Sequence, residues 1–158
     1  MPASPFAHLS TVSPVDVSPR RALIALSRSL EARAFAGSAD STVWVCLQHA
    51  RFLTPTTRGL YEALAGRGAT VHLYGEEVRS VTPFGPGVHL HDLSPRSPLA
   101  MEWNILLVSD RGSAALSAQE RPPSAELGDR RFAWTTSEQP AEVLYAASSL
   151  PLQDFVTA

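Results

Sequence analysis

Residues 42–75, TVWVCLQHARFLTPTTRGLYEALAGRGATVHLYG, decide the fold. Thr42 to Gln48 is β-branched and apolar without strict alternation, the pattern of a strand covered on both faces. Thr54-Pro55 then supplies a helix cap followed by a proline at the first helical position, and Leu60, Tyr61 and Leu64 recur at helical spacing. Gly66 and Gly68 stop that helix, and Ala69 to Gly75 (ATVHLYG) makes a second apolar strand. A strand, a helix and a strand in this order predict a right-handed parallel crossover, the unit of α/β proteins.

The rest of the chain extends the same alternation. Upstream, Leu23, Leu26 and Leu30 make a helical stripe through PRRALIALSRSLEARAFA, with Ser18-Pro19 as its expected start and Gly37 as its stop. Downstream, Gly87 to Leu93 alternates like a half-exposed strand, and Met101 to Ser109 (MEWNILLVS) reads as the central strand of the sheet. A short helix is expected from Ser113 to Arg121, ended by Pro122-Pro123. RRFAWTTS predicts the last strand and QPAEVLYAASSL the last helix. The fold class is therefore α/β: a single domain whose central sheet of about five strands, mostly parallel or mixed, is flanked by helices. Residues 1–17, with three prolines, read as an extended arm; 18–150 form the domain and 151–158 a tail.

Composition excludes several functions. The 158 residues suit one domain and carry a net charge of −2, which gives no basic face for nucleic acid or for an anionic membrane. All thirteen basic side chains are arginine, so neither a lysine Schiff base nor a phosphate-loop lysine exists in this sequence. Cys46 is the single cysteine; it allows no internal disulfide, and a cytoplasmic location is the expectation. No serine sits in a G-x-S-x-G elbow, and no phosphate-binding glycine fingerprint occurs. No catalytic residue is assigned, and the chain is read as a non-enzyme.

Four constellations remain. His72, His89 and His91 have strand spacings at which imidazoles can hold zinc, but solvated edge histidines are the commoner case, and no metal site is assigned. Cys46, mid-strand, reads as a small buried hydrophobe with a raised pKa. Trp44, Trp103 and Trp134 fall on strands and read as core. The polar residues after the strands matter more, because open α/β sheets bind ligands beyond the carboxyl ends of their strands. That rim is expected to gather Gln48, His49, Arg51 and Phe52 after the first strand, Tyr74 and Glu76 at the second, and Arg111 beyond Ser109. Its arginines and aromatics suit a small anionic or planar ligand. No cofactor is identified.

Four stretches together resemble a known family. They are LSRSLEARA (26–34), residues 43–75, SPLAMEWNILLVSDRGSAALSAQE (97–120) and RRFAWTTSEQPAEVLYAASSL (130–150). Within them stand an S-R-x-x-E helix (Ser27, Arg28, Glu31), a strand ending in Leu47-Gln48 where the family has an aromatic-Gln pair, and P-L-x-x-E-W (Pro98, Leu99, Glu102, Trp103). This order is similar to the DICT sensory domain, named for its association with diguanylate cyclases and two-component systems. The resemblance implies a sensory or regulatory α/β module in bacterial signal transduction, acting on a signalling partner or through self-association. It carries no catalytic residues. An interaction adaptor without a small ligand is the alternative, and an unrecognised enzyme the second alternative. Arg28 and Glu31, at i and i+3, can pair, while Glu102 and Trp103 should point to opposite faces of their strand. Glu102 needs a partner there, and Arg28 is the expected one.

Overall fold

The computed structural model describes residues 1–37, 39–81, 83–122 and 130–151. Among these, four helices flank one seven-stranded sheet. The elements are α1 (Pro5–Val12), β1 (Asp16–Pro19), α2 (Arg20–Ala36), β2 (Thr42–His49), α3 (Pro55–Gly66), β3 (Thr70–Glu76), β4 (Val88–Asp92), β5 (Glu102–Ser109), β6 (Gly112–Glu120), β7 (Arg131–Ser137) and α4 (Pro140–Ala147). The strands lie in the order β1-β7-β6-β5-β2-β3-β4. The α/β class and the mixed sheet stand; the strand count rises from about five to seven.

The predicted crossover is present: β2 and β3 pair in parallel, and β4 extends this parallel part from β3. Every other neighbouring pair is antiparallel. The two added strands explain the higher count. β6 replaces the helix expected over Ser113–Arg121. Ser109 faces Gly112 across a two-residue turn, and Gly112 takes φ 134°, a backbone conformation that favours glycine. Ser113, Ala114, Ala115, Leu116, Ser117 and Ala118 are all buried. Their small side chains let helices approach both faces of β6, so tertiary packing overrides the helix propensity of an Ala/Ser run.

β1 and α1 overturn the extended arm. Ser4 accepts a hydrogen bond from the Ala7 amide at 3.0 Å and Pro5 opens the helix, a cap-and-proline start. The expected start of α2 shifts by one residue: Pro19 holds its N-cap position without a side-chain bond. Ser18, in β1 with it, accepts from the Trp134 indole N–H on Oγ at 2.9 Å instead of capping. Of the tail, residues 152–158 lie outside the described residues. α2 and α3 cover one face of the sheet around Val45, Tyr61, Leu64, Leu73, Ile105 and Leu116. α1 and α4 pack on the other, around Leu9, Cys46, Leu106, Val143 and Ala146.

Candidate functional site

Between α2, the first turn of α3 and the sheet lies a cavity of about 270 Å³. α2 presents Arg20, Ile24, Ser27, Arg28 and Glu31 to it, a stripe at helical spacing. α3 contributes Thr57 and Tyr61, the sheet contributes Gln48, Trp103 and Phe132, and Arg130 comes from just before β7. Antiparallel pairing explains this company. The carboxyl ends of β2 and β6 and the amino ends of β5 and β7 share one rim, so Gln48, Trp103, Glu120 and Phe132 meet there.

Two polar networks frame the cavity. In the first, buried Glu31 accepts from Ser27 Oγ (2.9 Å), Arg28 Nη1 (2.8 Å) and the Tyr61 hydroxyl (3.4 Å). Burial and then the Glu31 charge push the Tyr61 hydroxyl well above its usual pKa, so it stays a donor. In the second, Arg130 forks onto Glu120 at 2.7 and 3.1 Å and donates to the Gln48 carbonyl oxygen, while Gln48 Nε2 donates to Glu120 at 2.8 Å. The Arg130 hydrogen bond holds the Glu120 carboxyl below its usual range. Gln48 has φ 72°, left-handed for a residue with a side chain, and the β2–β3 register shifts between Cys46 and His49. Such strain persists only where surrounding bonds hold it. The Phe52 ring carries the Arg130 guanidinium at 4.2 Å and that of Arg51 at 4.8 Å.

The expected rim is gathered only in part. Gln48 and Phe52 line the cavity, with Arg51 over Phe52. His49 stands beside it, accepting from the Arg51 amide on Nδ1 and lying 2.9 Å from Glu77 on Nε2. Glu76 is half-buried at the end of β3, opposite His49 in the register. Tyr74 points to the other face, fully buried and stacked on His91 at 4.4 Å. Arg111 lies at the opposite end of the sheet, in the β5–β6 turn near Arg33 and Ser109, because β5 runs antiparallel to β2.

The paired motif also resolves differently. Glu102 and Trp103 do face opposite sides, but that separates Glu102 from Arg28. Arg28 pairs with Glu31, and Glu102 accepts from the Phe6 amide (3.1 Å), Asn104 (3.2 Å) and Ser4 under α1. Burial raises the Glu102 pKa against these bonds. Trp103 is half-buried at the cavity wall, and Trp44 and Trp134 are half-buried too. Cys46 is fully buried, its thiol pushed up to about 12.

His72 and His91 bring Nδ1 and Nε2 to 3.0 Å, with His89 stacked on His72 at 5.0 Å. No group of three His, Cys, Asp or Glu among the described residues has metal-holding geometry. Sequence reasoning missed Arg20, Tyr61, Glu120, Arg130 and Phe132 as lining or framing groups. Reading β6 as a strand would have placed Glu120 beside Gln48 and Arg130.

No helix among the described residues is long and apolar enough to cross a membrane. Neither the curated proteins nor the solved structures include a match to the chain. One family model does match, over residues 5–121, well beyond half of the sequence, and its description is a sensory domain in diguanylate cyclases and two-component systems. With the S-R-x-x-E residues set on the cavity wall, the chain belongs to the DICT family of sensory domains.

Proposed function

We propose that this DICT domain is a non-catalytic, cytoplasmic input module that binds a small molecule in the α2–sheet cavity and passes the event to a partner protein. The observation that carries the reading is the cavity itself. Aromatic walls with a few convergent, pre-held polar groups are the composition of small-molecule sites. Backbone strain at Gln48 on the same rim is the kind found at binding sites. Output through a partner or a second copy is supported by exposed Val12 on α1 and by Leu144 and Tyr145 on α4, since these two helices pack together.

A thermal-shift screen of nucleotides, flavins, tetrapyrroles and aromatic acids tests the reading, with an Ile24→Trp variant that fills the cavity. A ligand that binds only the native state raises the melting temperature. The expected result is a stabiliser of the native chain that leaves the filled variant unmoved. Equal stabilisation of both would move the site elsewhere, and a screen without hits would favour the interaction adaptor.

A further inference from the structure

The occupant of the cavity is constrained by its charge balance. Arg130 is engaged by Glu120, and one nitrogen of Arg28 by Glu31. Arg20 is different. It is half-buried on the cavity wall, has no ion-pair partner among the described residues, and makes its side-chain contact with the Trp103 ring, 6.0 Å from its carbon. Arg51 stands outside the lining, exposed over the Phe52 ring, and its charge acts on Glu120. Glu31 and Glu120 thus offset Arg28 and Arg130 and leave the Arg20 guanidinium in excess, and a half-buried cation gains from a counter-ion. α2 begins at Arg20 and α3 begins at Pro55 after the lining residue Thr54, so the positive ends of two helix dipoles add to the same field.

The apolar part of the wall combines aromatic rings with Ile24, Val45 and Leu47. Trp103 and Phe132 stand edge to face with centroids 5.9 Å apart, and both line the cavity. A guanidinium next to such rings recognises an acid by its fork and a ring by stacking. At about 270 Å³ the space lies just below the usual range of ligand pockets, which suits a one- or two-ring molecule better than a dinucleotide.

Resting on the reading of the cavity as a ligand site, we propose that its ligand is a compact planar aromatic acid. Its carboxylate or phosphate lies on Arg20 and the unengaged edge of Arg28, and its ring lies against the accessible face of Trp103, which Phe132 backs from below. The Glu120–Arg130–Gln48 network is already satisfied and acts as the fixed floor.

Calorimetric titration of the full chain with four probes tests this: 2-naphthoate, 2-naphthyl phosphate, 2-naphthalenemethanol and 2-naphthylmethylammonium. The expected result is that at least one acid binds about tenfold tighter than the neutral alcohol and that the cation binds weakest. The better of the two acids distinguishes a carboxylate from a phosphate ligand. In Arg20→Gln, checked for native circular dichroism, the acid should lose that advantage while the alcohol binds as before. If the alcohol or the cation binds as tightly as both acids, and Ile24→Trp abolishes it, the acid assignment fails while the cavity reading stands. Binding that survives Ile24→Trp overturns both. An acid preference unchanged in Arg20→Gln, or no binding of any probe, overturns the proposal.

Discussion

Glu31 offers the sharpest test of how the cavity wall is held. Its carboxylate is 4 % exposed and serves three donors, two of them the hydroxyls of buried Ser27 and Tyr61. Glu31→Ala removes hydrogen bonds to a charged acceptor, each about 1.5–3 kcal/mol, and leaves two buried hydroxyls to find water. Loss of the buried charge returns part of that, so the net cost is about 2–4 kcal/mol. For a chain of this size each kcal/mol moves Tm by roughly 2–4 °C, which gives a fall of about 5–15 °C. Arg28→Ala should behave differently. Its side chain is 46 % exposed and Glu31 keeps the Ser27 bond, so the loss is about 1 kcal/mol or less. Urea unfolding followed by circular dichroism gives both values under one condition. If the two variants lose equal stability, the ion pair and not the hydroxyls holds Glu31; an unchanged Glu31→Ala would refute the network altogether.

Three further outcomes follow from the packing. Phe132 is fully buried against Leu23 and Ala118, so Phe132→Ala should cost about 3–5 kcal/mol by denaturant unfolding. His72 is held neutral by burial and then by His91 and His89, which bring its pKa down to about 4. Because the folded pKa lies below the unfolded value near 6.5, stability is full above that value and is lost as pH falls. His72 alone should therefore make urea titrations at pH 7 and pH 5 differ by about 2 kcal/mol. His91, lowered by burial too, adds in the same direction, and His72→Gln should shrink the difference. Cys46, with a buried thiol at about 12, should resist an aromatic disulfide reagent in the native protein and react on unfolding; fast native labelling would contradict its placement.

The parallel half of the molecule was legible because apolar strands and a proline-capped helix sit beside one another in the chain. β2, α3 and β3 need only local signals. The antiparallel half was not, because β6 is an Ala/Ser run whose strand identity comes from being sandwiched between β5 and β7. That one misreading propagated to the site. A rim imagined from parallel strands puts Arg111 next to Gln48, whereas the antiparallel β5 sends it to the far end and brings Glu120 and Arg130 instead. Ser4-Pro5 carried a helix start as clear as Thr54-Pro55, but the prolines around it read as an arm. Trp103 shows the remaining gap: strand position identifies its face, while the void beside it depends on how α2 crosses the sheet.

The strand order has a consequence for where this domain can be cut. The family match closes at residue 121, directly after β6, yet β7 lies between β6 and β1 in the sheet. A fragment trimmed to that boundary would leave β1 without its neighbour and open the flank of β6. It would also delete Arg130 and Phe132 from the cavity, and α4 from above Leu106 and Ala115. The smallest folding unit therefore runs from α1 through α4, with the first and last elements stitched together side by side.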